Sequence, residues 1–194
     1  MTVSPQPPTL QDGPGNCNKT LVEPHLTFVN LGWGFSLMVL LKPGFITDGA
    51  SVPLDTERSN VIYDQVNDYV QKKYPKITTR YDLESLIEII IGGPWDMPRL
   101  LAACVHDGLY DYQWMCRWLC DWVYKRILGQ NDYPPIQTDI EYYVIRVFGK
   151  SHWDAISDLE RDRARDAVEV KIIRSKNIHK VTAEIRRRLG KSRE

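Results

Sequence analysis

The chain has 194 residues, 43% of them hydrophobic, and its 25 Lys and Arg residues balance 25 Asp and Glu residues. This length and composition are typical of one globular domain, with or without appendages, that has a substantial apolar core. No apolar run reaches the roughly 18 residues that a membrane span needs, so the sequence predicts no transmembrane segment. The four cysteines fit no small disulfide scaffold.

The first quarter of the chain predicts extended structure. Residues 1–24 carry five prolines and no aromatic residue, which predicts an extended arm. From His25 to Val52 the pattern is β: Phe35–Leu41 is rich in strand formers, and Gly32-Trp33-Gly34 and Lys42-Pro43-Gly44 are turn signals.

A helical core follows, within a core domain that spans residues 25–153. Residues 54–93 are interpreted as an insertion that contains an amphipathic helix, Asn60–Lys73. Three further helices are predicted, the first two antiparallel because the loop between them is short: Met97–Asp111, Trp114–Leu128 ended by Gly129, and Asp139–Phe148 ended by Gly149.

Residues 154–194 are predicted to form a charged, basic, helical extension, with one helix from Asp154 to about Lys176 and another over Val181–Leu189. Residues 161–194 contain twelve Lys or Arg against five Asp or Glu, whereas residues 1–160 contain thirteen against twenty. This asymmetry suits nucleic acid, an acidic partner or the acidic body of a neighbouring copy; the alternative is a solvated helix. The candidate contact residues are Arg186, Arg187, Arg188, Lys191 and Arg193.

The whole pattern predicts an α+β fold. A small antiparallel β portion precedes a helical core that contains an antiparallel helix pair. An extended N-terminal arm and charged C-terminal helices flank this core.

The segment Ala102–Tyr110 predicts a functional site. In a helix His106 and Tyr110 share a face, and Asp107 points about 100° away. Histidine titrates near neutral pH and can act as a base or a ligand. The alternative is a core histidine that is hydrogen-bonded to Asp121 and serves only to pair two helices.

Other residues of the predicted helices have structural interpretations. Asp121 lies between Arg117 and Lys125 at four-residue spacing, which is typical of a surface ion-pair ladder. Three tryptophans are predicted to lie in the core: Trp114, Trp118 and Trp122.

Four motifs occur in order along the chain: Thr47-Asp48-Gly49-Ala50-Ser51-Val52-Pro53, Ala103-x-x-His106-Asp107-x-Leu109-Tyr110, Arg117-x-x-x-Asp121, and Tyr143-x-x-x-x-Phe148-Gly149 with Trp153. Together they resemble the family called domain of unknown function 1353, whose members are found mostly in bacteriophages and prophages. The resemblance covers about residues 30–153. It implies a protein of the host cytoplasm during infection, or of the virion, whose partners are phage structural proteins or copies of itself. The insertion and the basic extension depart from the family pattern.

The His-Asp-x-x-Tyr pattern, with a further Asp on the next helix, is also similar to secreted and parvoviral phospholipases A2. This similarity implies that His106 is a general base for water, that Asp121 orients its ring and that Tyr110 is a supporting donor. It also implies that Asp107 is a calcium ligand. The Gly-rich calcium loop of those enzymes has no counterpart before His106, and Asp48 is the candidate replacement ligand.

Two functions follow from these patterns. One is a bacteriophage virion or assembly component that makes inter-subunit contacts through its terminal arms. The alternative is a calcium-dependent lipid or ester hydrolase that uses a His-Asp dyad. The missing calcium loop favours the first. Both interpretations of the motif require the imidazole of His106 and the carboxylate of Asp121 to meet across two antiparallel helices.

Overall fold

The computed structural model describes residues 8–12, 19–47, 56–76 and 97–191. In these ranges the strands are β1 Leu10–Asp12, β2 Lys19–Leu21, β3 His25–Gly32, β4 Phe35–Leu41, β5 Ile46–Thr47 and β6 Val168–Arg174. The α-helices are α1 Thr56–Lys73, α2 Met97–Tyr112, α3 Arg117–Gln130, α4 Pro135–Ala155, α5 Asp158–Ala167 and α6 Ile178–Lys191. The predicted α+β class is confirmed, since two antiparallel three-stranded sheets stand beside a mainly helical remainder.

The larger sheet has the order β3-β4-β6, and its central strand explains the apolar run at 35–41. Strand β4 is buried on both faces, and a strand covered on both faces is hydrophobic throughout rather than alternating. Leu37 and Leu41 belong to the core shared with α2 and α3, whereas Met38 and Leu40 face α6.

The smaller sheet has the order β1-β2-β5. Strand β2 pairs with β5, so that Lys19 lies opposite Thr47. Strands β1 and β2, which lie in the described part of residues 1–24, are held by antiparallel pairing. The remainder of residues 1–24 lies outside the described ranges.

The prediction of one helix from Asp154 to Lys176 is wrong. Helix α4 ends at Ala155, and the Ser157 side chain begins α5 with a capping box that includes Glu160. The chain then forms β6, which pairs antiparallel with β4 from Val168 opposite Leu41 onward. Alternating β-branched residues in 168–173 suit a strand, and pairing with β4 overrides the helical pattern of the surrounding charges.

Helix α6 covers the second face of the larger sheet. Its buried residue Ile185, with Val181 and Leu189, packs against Met38 and Leu40. The described part of the basic extension thus lies against the body, and the sheet is enclosed between α6 and the core helices.

Helix α1 confirms the amphipathic helix predicted at Asn60–Lys73. Val66 and Val70 pack against Ile140 and Val144 of α4 and form a small separate cluster. The segment predicted at 83–91 lies outside the described ranges. Among the helices that the structure describes, none combines the length and the apolar content needed to cross a bilayer.

Candidate functional site

The predicted meeting of His106 and Asp121 is confirmed. Nε2 of His106 on α2 lies 3.0 Å from Oδ1 of Asp121 on α3. The helices are antiparallel, because Cys120 lies near the Leu109 carbonyl while Tyr124, one turn later, contacts the ring of His106. Only residues 113–116 separate them, which leaves α3 no other course than back along α2.

Tyr110 donates a hydrogen bond of 2.6 Å to the same oxygen of Asp121. Its hydroxyl lies in a space that a glycine leaves open: a Cβ atom at Gly149 would stand 2.8 Å from it. This close approach explains why position 149 is a glycine, although the sequence predicted a helix end there and α4 continues to Ala155. Trp153 packs edge-on against the Tyr110 ring at 5.0 Å.

The carboxylate of Asp121 is fully buried, at 0% exposure, so the surface ladder predicted for it is wrong. Its Oδ2 atom lies 2.6 Å from Nη1 of Arg146 and 3.6 Å from Nη1 of Arg117. Lys125 instead binds Asp139 at 2.5 Å. Arg146 was missed by the sequence analysis; it projects from α4, so three helices meet at one carboxylate.

Burial and charge act in opposite directions on this cluster. Burial alone would lower the pKa of His106, but Asp107 and Asp121 outweigh it, and the pKa is raised above its ordinary value. Burial would raise the pKa of Asp121, but hydrogen bonds from His106, Tyr110 and Arg146 outweigh it, and the pKa is lowered. Burial and the neighbouring carboxylate raise the pKa of Tyr110. Both pKa shifts run in the direction that favours the charged forms of the pair.

Asp107 links the motif that contains His106 to the motif that begins at Thr47. The hydroxyl of Thr47, at the end of β5, donates a hydrogen bond to Oδ2 of Asp107. Oδ1 of Asp107 lies 3.9 Å from Nδ1 of His106, so a carboxylate faces each ring nitrogen. Asp48, the other predicted calcium ligand, lies outside the described residues.

The described residues do not fit a calcium site. Calcium takes about six to eight oxygen ligands. In the described parts of the chain, no three His, Cys, Asp or Glu side chains are grouped so that they could hold a metal ion. Asp107 is the one predicted ligand within those parts, and it already accepts the bond from Thr47.

A second buried carboxylate, Glu141 on α4, was not predicted. It accepts hydrogen bonds from Tyr124 at 2.6 Å and Tyr133 at 2.8 Å, and Nε of Arg99 lies 3.0 Å away. The ring of Tyr124 meets His106 edge-on at 5.5 Å. Two charged clusters therefore lie side by side in the helical core, linked by one tyrosine.

Two tryptophans that were predicted to lie in the core are at the surface, and two of the predicted basic contact residues form ion pairs within the chain. Trp114 and Trp118 are exposed rather than in the core. Of the predicted basic contacts, Arg187 binds Glu184 at 2.7 Å and Arg188 binds Glu169 at 2.7 Å. Arg186 is exposed. The side chain of Lys191 and all of Arg193 lie outside the described residues.

Comparisons of the chain with protein-family models, with curated proteins and with solved structures find no match. The similarities to domain of unknown function 1353 and to phospholipases A2 therefore stay predictions, which rest on the quoted motifs.

Proposed function

We propose that this protein is a bacteriophage virion or assembly component that binds copies of itself or other structural proteins. The observation that carries the proposal is the apolar surface at one end of the larger sheet. Trp33, at the tip of the β3–β4 hairpin, is 98% exposed; Phe35 is 43% and Ile172 58% exposed. Phe35 and Ile172 lie on the same face, since Ile172 is opposite Leu37. Large contiguous apolar patches on folded proteins mark interaction surfaces, and these three side chains are the candidate for one here.

The environment of the His-Asp pair supports the same proposal. His106 is only 5% exposed, and each of its ring nitrogens faces a carboxylate. A base that activates water needs a neutral imidazole that water can reach. The raised pKa of His106 and its burial instead favour a charged pair that locks α2, α3 and α4 together.

The location of the C-terminal elements changes which surface makes the contacts. Strand β6 belongs to the sheet and α6 packs on it. The contacts expected of a terminal arm are therefore assigned to the outer surfaces of β6, α6 and the β3–β4 hairpin.

Particle association tests the proposal. Phage particles from lysates that contain the protein are purified on a density gradient, and the protein is detected by immunoblot. We expect it to travel with intact particles. A Trp33→Asn variant removes the exposed indole, and asparagine tolerates the positive φ of 48° at this position. It should associate less, whereas Leu159→Gln, at an exposed site on α5, should behave as wild type. Protein found only in the soluble fraction would overturn the proposal.

The hydrolase is the second candidate, and one observation favours it. Nε2 of His106 is hydrogen-bonded to the carboxylate of Asp121, and the Tyr110 hydroxyl donates a second hydrogen bond to that carboxylate. This arrangement fixes the tautomer that a general base needs. In such a reaction Nδ1 would take a proton from water as the water oxygen attacks an ester carbonyl, and would return it to the leaving alkoxide.

Fatty-acid release tests this candidate. The protein is incubated with vesicles of phosphatidylcholine and phosphatidylglycerol, with added calcium or with a chelator. Activity that disappears in His106→Asn and survives in His179→Asn, at an exposed position on α6, would support a hydrolase. No fatty-acid release by the wild-type protein in either condition would exclude this lipid hydrolysis.

A further inference from the structure

The two edges of the larger sheet differ in what covers them. At the β3 edge, side chains of α3 form hydrogen bonds with the outward backbone groups. Gln130 accepts a bond from the Asn30 amide and donates one to the Phe28 carbonyl. Arg126 donates to the Asn30 carbonyl. At the other edge, β6 pairs with β4 alone among the strands that the structure describes. An uncovered edge strand is a template for pairing with another chain.

The hydrogen-bond pattern shows which residues of β6 face outward. The Ser175 amide bonds to the Gly34 carbonyl, and the Lys42 amide bonds to the Ala167 carbonyl. In an antiparallel pair, bonded positions alternate. Residues 169, 171 and 173 therefore bond to β4, and the amide and carbonyl groups of Val170 and Ile172 point away from it.

We propose that β6 pairs antiparallel with β6 of a second copy of this chain, about a two-fold axis at Val170. The inference names a partner for the proposed function and rests on it. The larger sheet of one copy and the larger sheet of the other would join into one six-stranded sheet. Such an isologous contact needs a surface that complements itself.

The charges of β6 are self-complementary in this register. Glu169 of each copy lies opposite Lys171 of the other, on the α6 face. A register shifted to centre on Lys171 would place two lysines opposite each other, which is unfavourable. Glu169 already binds Lys171 and Arg188 within its own chain at 2.7 Å, so the joined strands would carry an alternating network of charges.

The apolar residues of β6 fit the same register. On the other face of the sheet, Val170 would meet its own copy and Val168 would meet Ile172. This pairing would cover Ile172, which is 58% exposed in the single chain. One arrangement thus gives hydrogen-bond partners to the outward backbone groups, places opposite charges beside each other and covers the exposed side chain of Ile172.

Cysteine cross-linking tests the register directly. Directly opposed residues of a bonded antiparallel pair have Cα atoms about 5.5 Å apart, within the range that a disulfide spans. Cys17 and the exposed Cys116 are first replaced by serine. Val170→Cys, Lys171→Cys and Ile172→Cys are then oxidised separately and compared on a non-reducing gel. We expect dimer from Val170→Cys and about tenfold less from the other two.

Sedimentation equilibrium of the full chain without cross-links gives an independent measurement. Lys171→Glu places glutamates opposite each other and should weaken the dimer about tenfold. Lys176→Glu, at an exposed position beyond the strand, should not. Circular dichroism checks that both variants keep the fold. A monomer at all concentrations, or a cross-link centred on 171 or 172, overturns the inference. Particle association can succeed or fail independently of this result.

Discussion

Nε2 of His106 lies 3.0 Å from Oδ1 of Asp121, and the other oxygen of that carboxylate lies 2.6 Å from Nη1 of Arg146. Helices α2, α3 and α4 are therefore joined at one buried negative charge. Removing one partner of a buried charge network leaves the others without compensation. Loss of any one partner is therefore expected to destabilise the fold, whether or not the cluster also carries out chemistry.

The first prediction concerns His106→Ala. We expect this change to lower the free energy of unfolding by about 2 to 4 kcal/mol, because it removes a charge-assisted hydrogen bond and leaves a cavity. Urea unfolding measures the loss, and His179→Ala on the exposed face of α6 is the control. A loss below about 0.5 kcal/mol, the scale of surface substitutions, together with loss of a measured hydrolase activity, would instead assign His106 to catalysis.

The second prediction compares two helical glycines. Gly149→Ala would bring a methyl group to 2.8 Å from the Tyr110 hydroxyl, whereas a Cβ at Gly129 meets nothing within 4 Å. Alanine favours a helix over glycine by about 1 kcal/mol, so Gly129→Ala should leave stability unchanged or raise it. Gly149→Ala should lower it by about 1 to 3 kcal/mol through overpacking. Thermal unfolding compares them, and equal effects at the two positions would contradict the contact with Tyr110.

Local sequence signals predicted the parts of the fold that local chemistry decides. The Gly32-Trp33-Gly34 turn forms where expected, with positive φ at all three residues. The spacing that puts His106 and Tyr110 on one helical face holds as well. Because the loop between the two helices is short, the helices were predicted to be antiparallel, which brings Asp121 close to His106 and Tyr110.

The parts that depend on tertiary contacts were not predictable in this way. Strand β6 carries Glu169, Lys171 and Arg174, and its local sequence is typical of the end of a charged helix. It forms a strand because it pairs with β4. The local sequence around Arg146 is typical of a solvent-exposed residue, because its ion pair with Asp121 depends on how α4 packs against α3. Gly149 resembles a helix end until the position of the Tyr110 hydroxyl is known.

The third prediction concerns stability between about pH 6.5 and pH 4. His25 is buried and hydrogen-bonded to Thr27 at 2.9 Å, and burial lowers its pKa to about 4. In this window the unfolded chain binds a proton at His25 that the folded chain does not. Stability should therefore fall as the pH falls, by about 2 to 3 kcal/mol.

A His25→Gln variant provides the comparison, since glutamine can still bond to Thr27 but does not titrate. Its stability should fall less than that of the wild type over the window. The raised pKa of His106 acts in the opposite sense: its contribution is fully present below about pH 6.5 and is lost as the pH rises further. Urea unfolding at several pH values measures both chains, and parallel curves would refute the assignment to His25.

The fourth prediction tests how α1 is held against the body. Val70 is fully buried against α4, whereas Val61 on the same helix is exposed. Valine-to-alanine truncation removes two methyl groups from the packed cluster at position 70, which should cost about 1 to 2 kcal/mol. The same change at position 61 should have little effect, since a surface substitution stays within about 0.5 kcal/mol. Because the cluster around Val66 and Val70 is separate from the main core, the loss at Val70 should appear first as faster amide exchange in α1. Exchange that accelerates equally in α1 and β4 would mean that the two clusters unfold as one unit.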